Sequence, residues 1–137
     1  MPFIVWDELY ETGVPAIDEQ HKNLVSLANR MLDVLTKKRG KDEVLYVITQ
    51  MIQYAEVHFR TEEEFMIKAG YPDLEEHILL HEGFKRKITE FEQKFETHDL
   101  SLTTELTIFL TTWVTDHFTM VDQKYVPDLK RAGLTTS

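Results

Sequence analysis

Four stretches of this chain repeat apolar side chains every three or four positions, and none alternates with period two for long. That period belongs to the α-helix. The first stripe runs Ile17, His21, Leu24, Ala28, Met31 and Leu35, widened by Val25 and Leu32, and stops at KKRG, where cations precede Gly40. The second opens on Asp42 and Glu43 and runs Val44, Ile48, Met51, Ala55, His58, Glu62 and Phe65 to a stop at Gly70. The third follows Pro72-Asp73 with Leu74, His77, His81, Phe84, Ile88, Phe91 and Phe95. The fourth starts near Ser101 with Leu102, Leu106, Phe109, Trp113, His117 and Met120, and ends around Pro127 or at KRAG. Acids at helix starts, and cations followed by glycine at helix ends, suit the helix dipole and its caps.

Such segments joined by short loops predict an all-α, antiparallel up-down-up-down four-helix bundle. Its helices are expected at roughly 17–38, 42–69, 73–96 and 101–127. Residues 1–15 hold Pro2, Gly13 and Pro15 and read as an extended arm, which Phe3, Val5 and Trp6 would pack against the bundle. With 137 residues and neither repeat nor linker, a single domain over 1–137 is expected.

Each stripe carries polar residues where leucine would pack better. His21, His58, Glu62, His77, His81 and His117 all fall on the inward face of a helix. A buried polar group without a partner costs about 1–3 kcal/mol. Six of them over four helices must therefore satisfy one another or something they share. Taken singly, each has an ordinary reading: His21 as a core-edge histidine, His58/Glu62 as a surface i,i+4 pair, His77/His81 as a histidine pair bonded to polar neighbours. Together they point to a metal in the bundle core, because imidazole and carboxylate are ligands for iron, zinc or manganese.

The spacing supports this. Residues four apart on a helix differ by only ~40° of rotation, and both His58/Glu62 and His77/His81 have that step. Asp122 stands five after His117, ~140° away on a regular helix. Pro127 offers a reason for the backbone to depart from regularity and turn Asp122 inward. His98, in ETHDLS between the third and fourth helices, reads as a solvated or capping residue.

Other chemistries fit less well. A glycosidase carboxylate pair gives no reason for five inward histidines. Ferritin-like di-iron sites use Glu-x-x-His, whereas the residues three before His58, His77, His81 and His117 are Ala55, Leu74, Ile78 and Val114. The absence of cysteine excludes disulfides, thiolate zinc sites and iron–sulfur clusters. A formal net charge of -9 argues against nucleic acid and anionic membranes as partners. The start MPFIVWDELYETG is not a signal peptide, and no run approaches the ~20 apolar residues of a membrane span, so a cytoplasmic protein without membrane insertion is expected.

Four segments carry a family resemblance: GVPAIDEQHKNLV around His21, HFRTEEEFM from His58, HILLHEGF from His77 and WVTDHFTMVDQKY around His117. Over nearly its whole length the chain resembles the hemerythrins, most closely the bacterial ones. The resemblance implies two iron ions per chain joined by an oxo or hydroxo bridge. His77, His81 and His117 would hold one iron, His21 and His58 the other, with Glu62 and Asp122 bridging. The iron with two histidines is then one ligand short, and dioxygen would bind there reversibly, for storage or delivery. The alternatives are an oxygen or redox sensor acting through a partner, and a di-iron peroxide or nitric oxide reductase. The carrier reading expects no enzymatic role beyond a weak peroxidase-like side activity. It expects a monomer, with an oxygen-consuming enzyme as recipient. Leu24, Phe59, Trp113, Val114 and Phe118 would form an apolar oxygen pocket, and Tyr125 would support the ligands by hydrogen bonding.

Overall fold

The computed structural model describes residues 4–37, 40–96 and 103–136. Four long helices account for most of them: α1 (Pro15–Thr36), α2 (Lys41–Ala69), α3 (Leu74–Glu96) and α4 (Thr103–Asp116). They form a four-helix bundle, and no strand occurs among the described residues. α4 continues through a π-helical turn, His117–Val121, and a 3-10 turn, Asp122–Tyr125, into the short α5 (Val126–Arg131). No described helix is long and apolar enough to cross a membrane.

The helix ends follow from local chemistry. α1 starts with Pro15 in its first turn, where a missing N–H costs nothing. α2 ends in a Schellman turn: Gly70 N–H donates to the Ile67 carbonyl at 3.1 Å and Tyr71 N–H to that of Met66 at 3.0 Å. The turn needs the left-handed backbone that Gly70 adopts, with φ 66°. Gly133 closes α5 in the same way, with φ 74°. Gly40, expected to end the first helix, instead opens the second. Its φ is −63°, and its carbonyl accepts from Glu43 and Val44.

The arm is anchored by side chains reaching back from α1. Asn29 accepts from the Ile4 N–H and donates to the Ile4 carbonyl, at 2.7 and 2.8 Å. Asp18 accepts from the N–H of Thr12 and Gly13 and from the Thr12 hydroxyl. Of the residues expected to pack the arm, Trp6 lies against the core, edge-on to Tyr10 with Lys22 over its ring. Val5 does not: it is 68% exposed, and Ile4 is the buried residue instead. One residue turns the extended chain over, which exchanges the two faces. Phe3 lies outside the described residues, as does the loop with His98. The C-terminal segment closes on the arm, where Thr136 donates to the Gly13 carbonyl through its N–H at 2.8 Å and its hydroxyl at 3.1 Å.

The interior is divided. One apolar cluster holds Leu24, Met51, Phe59, Phe84, Phe95, Leu110 and Phe118 among others; a smaller one holds Val14, Ile17, Met66, Tyr71, Tyr125 and Leu129. On every helix a buried polar residue separates the two. His21 lies between Ile17 and Leu24, and Glu62 between Phe59 and Met66. This polar divide is the candidate site.

Candidate metal centre

α1 supplies His21, α2 supplies His58 and Glu62, and α3 supplies His77 and His81. His117 and Asp122 come from the irregular end of the fourth helix. All seven are buried, none more than 3% exposed.

The step from His117 to Asp122 is accommodated by the π turn. Asp122 N–H donates to the His117 carbonyl, an i→i+5 bond that sets residue 122 above residue 117 as i+4 would be in an α-helix. The irregularity therefore lies at 117–121, not at Pro127. That proline occupies the first turn of α5, where it interrupts no bond. Thr119 donates to the Thr115 carbonyl at 2.7 Å, which supplies a partner where the ladder changes register.

Each carboxylate divides its oxygens between two sets of imidazoles. Glu62 Oε1 lies 2.9 Å from His81 Nε2 and 3.3 Å from His77 Nε2; its Oε2 lies 3.2 Å from His21 Nε2 and 3.3 Å from His58 Nε2. Asp122 Oδ1 lies 2.9 Å from His117 Nε2 and 3.1 Å from His77 Nε2, and its Oδ2 lies 3.0 Å from His21 Nε2. The donor atoms thus form two groups, Glu62, His77, His81, His117, Asp122 and His21, His58, Glu62, Asp122, each within 4.8 Å.

These approaches are close, yet most lack hydrogen-bond geometry. Among the described residues, Nε2 of His58, His77, His81 and His117, Oε1 of Glu62 and both Asp122 oxygens are buried without a hydrogen-bond partner. Buried polar atoms are normally paired, so this many orphans in one place require a common partner. The spacing identifies it: neighbouring donors held ~2.1 Å from one ion in octahedral array are ~3 Å apart. The residues fit a metal centre, with Glu62 and Asp122 common to both groups of donors.

A ring of supporting contacts fixes the ligands. His58 Nδ1 donates to Gln20 Oε1 at 2.9 Å, and Gln20 is held in turn by Thr61 at 3.2 Å. His81 Nδ1 donates to Glu63 Oε2 at 2.8 Å. The tautomers follow, because Nε2 faces the centre and Nδ1 keeps the proton. Three aromatic rings stack face to face on ligands: Phe118 on His21 at 3.9 Å, Phe59 on His81 at 3.9 Å and Trp113 on His117 at 4.2 Å. Tyr125 donates to Glu62 Oε2 at 3.0 Å.

Of the residues expected around an oxygen pocket, Leu24, Phe59, Val114 and Phe118 are buried in the larger apolar cluster. Trp113 sits on the side of the three histidines and lines an outer groove with Leu80, Phe109 and Val121. Gln20 and Glu63 were not singled out by sequence. Each adjoins a ligand, but TEEE offers three glutamates and nothing in the string marks the middle one.

The electrostatics follow from burial and the two carboxylates. Burial alone would lower His21 and His77, but contact with Asp122 and Glu62 outweighs it and raises them to about 10 and about 9. His81 is raised on the same balance, while in His58 burial prevails and the value falls. Burial would raise Glu62 and Asp122, yet the surrounding imidazoles hold both below the usual carboxylate range. Burial and those carboxylates push Tyr125 well above the usual phenol value, so it remains a donor.

Comparison with known proteins agrees with this geometry. Residues 12–129 match the Hemerythrin HHE cation binding domain. A Bacteriohemerythrin of Clostridium acetobutylicum is 30% identical over 126 residues, covering 89% of this chain and 98% of that relative. One of Stenotrophomonas maltophilia is 31% identical over 130 residues, covering 95% and 84%. Among solved structures, a wild-type hemerythrin superposes with a TM-score of 0.83 at 26% identity, covering 93% of this chain and 98% of that one. A hemerythrin point mutant gives 0.85 at 27%, covering 94% and 98%. With the domain match spanning most of its length, the chain belongs to the hemerythrin family.

Proposed function

We propose that this protein binds dioxygen reversibly at a pair of iron ions, for storage or delivery, and is not itself an enzyme. The observation that carries the reading is the division of Glu62 and Asp122, each with one oxygen toward His77, His81 and His117 and one toward His21 or His58. Two bridging carboxylates with three imidazoles on one side and two on the other leave the second side one donor short. An iron pair held by His77, His81 and His117 on one side, His21 and His58 on the other, and Glu62 and Asp122 between would supply the two electrons that capture of dioxygen requires.

The protein's own residues keep such chemistry reversible by excluding water and fixing the ligands. Phe118 lies flat on His21 and is covered by Tyr10 of the arm, ring centroids 5.8 Å apart. Phe59 adjoins His58 at 5.8 Å while lying on His81. These rings belong to the larger apolar cluster, which also holds Leu24, one turn from His21, and Val114. On that side Tyr125 donates to Glu62 Oε2 and Gln20 accepts from His58 Nδ1, while His21 Nδ1 has no hydrogen-bond partner among the described residues. An oxygen-consuming enzyme in the same cytoplasm is the recipient this reading implies, with the carrier acting as a monomer.

The deciding experiment is metal content together with visible spectra taken reduced under argon, then in air, then under argon again. Two irons per chain and a band that appears with oxygen and fades without it are expected. Two irons that oxidise once and do not return would replace the carrier by a sensor or a reductase.

A further inference from the structure

The two sets of ligands are backed by different chemistry. Behind His81 stands the carboxylate of Glu63, at 2.8 Å from Nδ1. Behind His58 stands the neutral amide of Gln20, at 2.9 Å. The Tyr125 hydroxyl adds to the contrast: it donates to Oε2 of Glu62, the oxygen facing His21 and His58, and Oε1 has no such donor. A carboxylate accepting an imidazole N–H draws that proton toward itself and leaves more electron density on the opposite nitrogen. An amide does this far less. A hydrogen bond received by a carboxylate oxygen withdraws density from it. All three contacts act in one direction.

We propose that Glu63 is a positioning residue that makes the two halves of the centre electronically unequal, strengthening His81 as a donor while Gln20 and Tyr125 leave the other half weaker. The proposal rests on the iron-pair reading above. The half with three histidines is then the one whose oxidised state is favoured. The half with His21 and His58 stays the better electron acceptor, a suitable place for a ligand to enter. Glu63 is 26% exposed, so an ordinary surface contact between α2 and α3 is the competing account. Such a contact would affect stability and nothing else.

The test uses two near-isosteric variants, Glu63→Gln and Gln20→Glu. Midpoint potentials would be measured by spectroelectrochemical titration of iron-loaded protein, and zinc affinity by chelator competition. Glu63→Gln is expected to lower the preference for ferric over ferrous iron about tenfold, a rise of about 59 mV for one electron. It is also expected to weaken zinc about 10–100-fold. Gln20→Glu should move the potential the opposite way. Wild-type potentials in both variants, with two irons bound, overturn the proposal. Should Glu63→Gln fail to load iron, a wild-type potential in Gln20→Glu overturns it alone. If wild-type protein holds no redox-active iron pair, the functional reading falls instead. Zinc competition then decides the role of Glu63, and equal affinities for wild type and Glu63→Gln reject it.

Discussion

Asp122 stands five residues beyond His117, yet its Oδ1 lies 2.9 Å from His117 Nε2. A regular helix would set the two ~140° apart; the π turn removes that angle by inserting one residue. Met120 is the exposed member of the insertion, at 65%. Deleting it should return the segment to α geometry with a step of four, which also places both ligands on one face. The expected outcome is unchanged metal stoichiometry and equal or higher thermal stability. Loss of metal in a folded deletion variant would show that the π geometry itself is required.

Protons and metal compete for the same atoms. In the metal-free chain His21 and His77, raised to about 10 and about 9, are protonated at pH 7. Loading at that pH must release protons, from His21 and His77 at least, and fewer as the pH approaches 10. Calorimetry in buffers of differing ionisation enthalpy counts them. Release of none at pH 7 would mean that the rings are neutral beforehand.

Stability of the metal-free chain follows from the same groups. A raised histidine stabilises fully below its unfolded value of ~6.5 and stops doing so as pH climbs through its folded value. His21 and His77 therefore withdraw support progressively as pH rises above ~6.5, the loss being complete at about 10 for His21 and about 9 for His77. Glu62 and Asp122 are lowered, so their support is present above their unfolded values of ~4 and is lost as pH falls further. Melting temperatures across pH should form a plateau with losses at both ends. A monotonic profile would contradict the pairing.

Ligand substitutions divide by position. His58→Ala and His77→Ala should each cost metal, read by iron content after gel filtration. Retention of two irons by either would contradict the ligand assignment. His98→Ala should leave metal and spectrum intact.

Two glycines provide a test of the backbone independent of metal. A methyl group added at Gly83, inside α3, meets nothing within 4 Å. Gly83→Ala should stabilise by about 0.5–1 kcal/mol. Gly70→Ala has equal room but φ +66°, and should destabilise by about 1–2 kcal/mol. Thermal melts compare them directly, and a stabilised Gly70→Ala would refute the Schellman geometry.

The bundle was legible in its period, and Gly70 stops α2 where sequence placed the stop, whereas Gly40 opens a helix instead of ending one and the fourth helix, expected over 101–127, leaves α geometry after Asp116. The polar residues in the apolar stripes were legible because burial makes them costly. What escaped has a common cause. Gln20 and Glu63 are unremarkable on their own helices, and their roles depend on which neighbouring helix each faces. The π turn escaped because it is a change of register, with no residue type that announces it. Val5 and Ile4 exchanged places because a short arm has too few residues to establish a period.

The ligand layer separates two apolar clusters that share no helix uninterrupted by a polar residue. Hydrophobic burial cannot couple those clusters across it, because the layer between them is polar. Cooperativity must pass through the ligands instead. With ions bound, the layer joins all four helices and the molecule should melt as one unit. Without them the smaller cluster, from Val14 to Leu129, is joined to the rest by the helices that run through both and by close but mostly unbonded imidazole–carboxylate approaches. A metal held there would be a structural keystone, and its loss should first be felt as two transitions where there had been one.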